Sequence, residues 1–142
     1  MRRHGRWDAQ KKLAEKITDL TTLVMPDDTG VALRFINADV DTSLNLSSEH
    51  VREVIDPMPA RPVGDTEIAT NLKSKILQPL VYNKIKSKKL ERPLLVTIMT
   101  DGMPEPENKS LLRETILECG RQLKDAGYPA ESTYNSFTAP RF

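Results

Sequence analysis

Apolar residues in this chain recur at helical spacing in three long segments and run nearly unbroken in two short ones. The first long segment covers residues 7–24, where Trp7, Leu13, Ala14, Ile17, Leu20 and Val24 alternate with Lys11, Lys12, Glu15 and Lys16, predicting an amphipathic helix. Pro26-Asp27-Asp28-Thr29-Gly30 stacks turn residues behind it. Residues 31–36 (Val-Ala-Leu-Arg-Phe-Ile) then read as a strand, and a weaker one follows around 43–46. Ser47 or Ser48, with Glu49 and Glu53 behind it, opens a short helix carrying Val51, Val54 and Ile55.

Pro57, Pro59 and Pro62 predict an extended connection into Gly64-Asp65-Thr66. A second long helix starts at Thr66 with Ile68, Leu72, Ile76 and Leu80 on one stripe and a bend at Pro79. A lysine-rich loop leads to Leu94-Leu95-Val96-Thr97-Ile98-Met99, which has no polar alternation and so reads as a strand buried on both faces, central in a parallel sheet. It stops at Thr100-Asp101-Gly102-Met103-Pro104. In open α/β sheets ligands collect beyond the carboxyl ends of such strands, which makes Asp101 a candidate site residue; a turn-forming carboxylate is the plainer role. The last helix, 108–126, turns Leu111, Leu112, Thr115, Ile116, Cys119 and Leu123 inward and ends at Gly127 as its C′ residue. Residues 132–142 show no periodicity and read as an irregular tail. The order is that of an α/β protein, but three or four helices share only two clear strands.

Composition narrows this picture. Apolar residues make up 38% of the 142, low for a compact globular domain. A net charge of +1 gives no overall field toward nucleic acid or an acidic membrane. The local clusters, Arg2, Arg3 and Arg6 and then Lys84, Lys86, Lys88, Lys89 and Arg92, read as solvated surface. The single cysteine, Cys119, excludes an intrachain disulfide and a cysteine-rich zinc site, and its place on a helix stripe makes it a small core residue. No segment approaches the roughly 20 apolar residues of a membrane span. The expected location is the cytoplasm. His4 and His50 lack ligand spacing, no serine sits in a nucleophile elbow, and there is neither a P-loop nor a Gly-x-Gly-x-x-Gly. Trp7 lies on an apolar stripe and reads as core rather than as a binding aromatic.

Four motifs in order resemble a known family: Gly5-Arg6-Trp7, then Gly30-Val31-Ala32-Leu33-Arg34-Phe35-Ile36-Asn37, then Pro62-Val63-Gly64-Asp65-Thr66, then Arg92 through Pro104. The series is similar to a von Willebrand factor A domain of the fungal intracellular kind, over residues 5–129. The resemblance implies a doubly wound, Rossmann-like sheet flanked by helices, with a divalent cation at its carboxyl edge held by three loops. Those loops carry an Asp-x-Ser-x-Ser, a threonine and an aspartate. By position Thr66 matches the second and Asp101 the third. Thr66 also reads as a helix N-cap, with Asp65 its competitor. The Asp-x-Ser-x-Ser would lie upstream of Gly5, where only residues 1–4 stand; Asp41-Thr42-Ser43-Leu44-Asn45 comes in the wrong place in the order. The expected fold is therefore an incomplete sheet lacking its first central strand and its last strands, with residues 1–131 as the partial domain and 132–142 as the tail.

The function expected from this is a non-enzymatic protein-interaction module with a degenerate metal-ion-dependent adhesion site. Thr66 and Asp101 are hard-oxygen ligands suited to Mg²⁺ or another divalent cation, but two of them hold it weakly. A bound cation would offer an open position to an acidic side chain of a protein partner; nucleic acid and membrane are not expected partners. One alternative is a Mg²⁺-dependent hydrolase or phosphotransfer enzyme using Asp101, disfavoured because Met103 stands where such enzymes carry a second aspartate. Another is a truncated fragment without a function of its own.

Overall fold

The structure is a computed structural model that describes residues 2–24, 30–38, 46–58, 64–100, 106–129 and 133–138. The chain divides into two compact units, 1–64 and 65–142. No helix among the described residues is long and apolar enough to cross a membrane.

Among the described residues the first unit holds two helices, α1 (Arg2–Val24) and α2 (Ser48–Ile55). Ser47 caps α2 by accepting the His50 amide at 3.3 Å, and Val51 and Ile55, one turn apart, are its buried face. On α1 the buried residues are Ala14 and Thr18. Leu20 and Val24, expected to face inward, are 65% and 81% exposed. A helix of only eight residues cannot cover all of α1's stripe, and the packed face is the one bearing Ala14 and Thr18. Polar ties hold the pair: Lys11 donates to the Asp56 carbonyl at 3.1 Å, and Arg52 lies 3.6 Å from Glu15 and 3.8 Å from Asp19. The hydroxyls of Thr18, Thr21 and Thr22 donate back to the carbonyls of Ala14, Ile17 and Thr18, so these β-branched residues stay helical without an unpaired hydroxyl.

Among the described residues 31–36 form no strand: Val31 makes an isolated antiparallel bridge to Leu46 with both N–H···O bonds at 2.9 Å, and the chain bends at 36–37. The weaker strand at 43–46 is described only at Leu46; residues 41–45 lie outside the described residues, as do 25–29 and 59–63.

The second unit begins with one continuous helical run in three parts: α3 (Ile68–Asn71), a π-helical stretch π1 (Leu72–Tyr82) and α4 (Asn83–Lys86). Pro79, where a bend is expected, lies inside the π-helical stretch. Proline has no N–H to give and its ring crowds the carbonyl four residues back. At the end of the π-helical stretch the Asn83 amide bonds the carbonyl five residues back, Gln78. Of the expected stripe Ile68, Leu72 and Leu80 are buried and Ile76 is half-buried against the core, and Leu77, Val81 and Tyr82 widen the buried face. The run ends in a Schellman turn, Lys89 N–H to Lys84 carbonyl at 2.8 Å and Lys88 N–H to Ile85 carbonyl at 3.1 Å, with Lys88 left-handed at φ 55°.

Next comes β1 (Leu94–Met99), then α5 (Leu111–Asp125), then β2 (Thr133–Thr138). The strands pair parallel in register Leu94↔Thr133 through Met99↔Thr138, so 94–138 is a β-α-β unit. The strand at 133–138 corrects the reading of 132–142 as an irregular tail. Thr133, Tyr134, Phe137 and Thr138 are strand-favouring residue types without apolar alternation, and the parallel ladder to β1 organises them. A strand following the last helix is therefore present, contrary to expectation. Along β1, Leu94, Val96 and Ile98 pack into the core while Leu95 is 61% exposed, so the strand is not buried on both faces. On α5, Thr115, Cys119 and Leu123 are buried at successive turns, and Gly127 (φ 82°) stops the helix in a second Schellman turn. Cys119 is core, as its spacing implied. The core joins π1, β1 and α5 through Leu72, Leu77, Val81, Tyr82, Leu90, Val96, Cys119 and Leu123. Among the described residues the architecture is helix-rich with a two-stranded parallel sheet.

Candidate functional site

The carboxyl end of β1 and the start of the 68–86 helical run meet through one side chain. Thr100, directly after β1, is buried. Asp101 lies outside the described residues. Thr66 is half-buried, and its carbonyl accepts the Ile68 amide at 3.0 Å. Neither Thr66 nor Asp65 caps the helix. The cap position is Glu67, at φ −80° and ψ 74°, and its side chain makes no capping bond.

The cap comes from far along the chain. Glu107, in the connection between β1 and α5, accepts the Ala69 amide at 2.9 Å with Oε2 and the Thr70 amide at 2.7 Å with Oε1. A carboxylate on two first-turn amides satisfies donors that the helix itself leaves open and places negative charge at the positive end of its dipole. Burial pushes the Glu107 carboxyl pKa up, but hydrogen bonds from the Thr70 side chain and from the Thr70 and Ala69 amides outweigh it, and the carboxyl sits below its ordinary value. The connection that Asp101 opens is thus clamped, six residues on, to the helix that follows Thr66.

Beside the clamp an open groove of about 510 Å³ runs between the helical run and α5. Thr70, Lys73 and Gln78 line one wall, Glu114 and Glu118 the other. Lys73 crosses it to Glu118 at 3.0 Å, and that hydrogen bond, ahead of the opposing effect of burial, lowers the Glu118 carboxyl.

A divalent cation would need more oxygen donors than the described residues bring together. No group of three His, Cys, Asp or Glu side chains converges among them. Both Glu107 oxygens already hold amides. Thr66 and Asp101 would supply a hydroxyl and a carboxylate, leaving water to fill most of an octahedral shell. His50 is exposed and bonded to Ser47 at 2.8 Å; the side chain of His4 is outside the described residues. Trp7 is half-buried with its Nε1 enclosed and the Lys11 ammonium 5.8 Å from its ring.

The residue that sequence reasoning missed is Glu107. It stands 37 and 38 residues from the amides it holds, and no local spacing marks so distant a cap. Comparison with family models, with curated proteins and with solved structures finds no match to this chain.

Proposed function

We propose that the chain is a non-enzymatic protein-interaction module resembling a von Willebrand factor A domain, with its binding edge at the carboxyl end of β1. The observation that carries this reading is the Glu107 clamp. It fastens the connection that begins at Asp101 to the helix that begins just after Thr66, so the two loops that the resemblance pairs are tied by a bond that needs no metal. A divalent cation at Thr66 and Asp101 would supply a Lewis-acidic position for a partner's carboxylate. With two protein oxygens its affinity is low, and the clamp rather than the metal keeps the loops together.

Calorimetric titration of the chain with MgCl₂ tests this. The expected result is millimolar-range binding at most, removed by Asp101→Asn, with no hydrolysis of phosphate esters by either protein. Nanomolar Mg²⁺ affinity would refute the degenerate site, and Asp101-dependent phosphatase activity would replace the interaction reading with the enzymatic one.

A further inference from the structure

The turn between α4 and β1 is crowded with cations: Lys84, Lys86, Lys88, Lys89 and Arg92, with Glu91 the one acid in that span. All five are exposed. Elsewhere Lys73 meets Glu118 and Arg52 meets Glu15 and Asp19, but among the described residues no carboxylate pairs with the ammonium of Lys84, Lys86, Lys88 or Lys89. The helix end explains part of the cluster, because cations in a last turn suit the negative pole of the dipole, and Lys84 and Lys86 stand there. It does not explain Lys88. That residue is left-handed at φ 55°, in the same Schellman position where α5 carries Gly127 at φ 82°. A side chain there carries a backbone cost that glycine avoids. The turn bears that cost in the middle of its cationic run, and strained backbone of this kind collects where a side chain is used.

We infer that this turn is a docking patch for an acidic segment of a partner protein, a short run of Asp and Glu side chains. It adjoins the amino end of β1, whereas the connection opened by Asp101 leaves the carboxyl end, so it does not rest on the function proposed above. The chemistry of the patch selects the partner. Ile85 and Leu90 belong to the core or pack against it, and no aromatic residue stands between 83 and 92. The turn therefore has neither an apolar wedge for a bilayer nor a platform on which bases stack. A net charge of +1 gives no wide field to hold a duplex or a membrane, whose charge extends well beyond one turn. Lysine ammoniums on flexible stems meet carboxylates without a fixed fork geometry, which suits a short acidic segment.

Fluorescence anisotropy of the full chain with a labelled oligoglutamate peptide at low ionic strength tests the patch. Lys84→Gln, Lys86→Gln and Lys89→Gln combined should weaken binding roughly tenfold. Lys12→Gln, Lys16→Gln and Lys109→Gln combined remove the same charge from other exposed positions and should leave binding unchanged. Lys88→Gly should act in opposite directions, raising the melting temperature while weakening the peptide about threefold. Equal losses in the two triple variants would reduce the patch to net charge and overturn it. A Lys88→Gly protein that binds as tightly as the wild type would do the same, as would a wild type that does not bind the peptide. Tighter binding of duplex DNA or of phosphatidylserine vesicles than of oligoglutamate would overturn the choice of partner and the proposal with it.

Discussion

The two helical elements that wall the core, α5 and the run containing π1, teach different lessons from similar patterns. On α5, Thr115, Cys119 and Leu123 repeat every four residues, and all three are buried. In the other run Leu72, Ile76 and Leu80 repeat just as regularly; Leu72 and Leu80 are buried and Ile76 half-buried, but Leu77 and Val81, off that stripe, are more enclosed than any of them. Both segments are helical, as their periodicity says. What differs is the helix type: α5 is α-helical and has no proline, whereas π1 contains Pro79 and its end bonds a carbonyl five residues back, Asn83 to Gln78. Periodicity identifies a helix, but the register of its hydrogen bonds decides which side chains are inside.

The sharpest way to break this comparison is to empty each core position in turn. Leu123→Ala on α5 and Leu77→Ala on π1 each cost about 3 kcal/mol, the range for a fully buried leucine, read as a shifted urea midpoint. Ile76→Ala costs roughly half as much, because Ile76 is only half-buried. Equal losses at 76 and 77 would contradict the π register.

Next in size are the helix starts. Ser110 at the start of α5 makes no side-chain capping bond, whereas the run beginning at Ile68 is capped by Glu107. Glu107→Ala therefore costs about 1–2 kcal/mol and Ser110→Ala close to nothing, measured by chemical denaturation. The clamp is also pH-dependent. Its carboxyl is lowered by folding, so its contribution is fully present above the unfolded carboxylate pKa and is lost as pH falls through the lower folded value. An acid titration of stability should show that loss in the wild type and less of it in Glu107→Gln.

The smallest effects belong to the helix ends. Both runs stop in Schellman turns, α5 with Gly127 and α4 with Lys88 in the left-handed position. A Cβ at Gly127 would touch nothing within 4 Å, so Gly127→Ala carries only the backbone penalty, about 1 kcal/mol. Lys88→Gly should stabilise by about 1 kcal/mol for the mirror reason. Opposite shifts in melting temperature are the expected outcome.

What was legible in the sequence was local. The helices near 7–24, 48–55 and 108–126, the glycine stop at Gly127, the core place of Cys119 and the strand at Leu94–Met99 all follow from spacing and turn chemistry a few residues wide. What was not legible depends on partners distant in the chain. Residues 31–36 have the composition of a strand but form none among the described residues, whereas 133–138 lack the pattern and have a whole strand beside them. Leu95 reads as buried but lies on a face that the core helices do not cover. At the candidate site Thr66 was visible through its motif, and the carboxylate that organises its helix was not, because Glu107 is nearly forty residues away from the amides it caps.

The account of the binding edge stands on that clamp, and the amide spectrum reads it directly. In ¹⁵N-labelled wild type, the Ala69 and Thr70 amides should resonate downfield and exchange slowly with solvent. In Glu107→Gln both should move upfield and exchange faster, together with the residues around 106–110, while α5 beyond Leu111 stays unchanged. Ala69 and Thr70 amides that are indifferent to Glu107→Gln would mean that the β1–α5 connection is not fastened to the helix after Thr66, and the proposed edge would lose its basis.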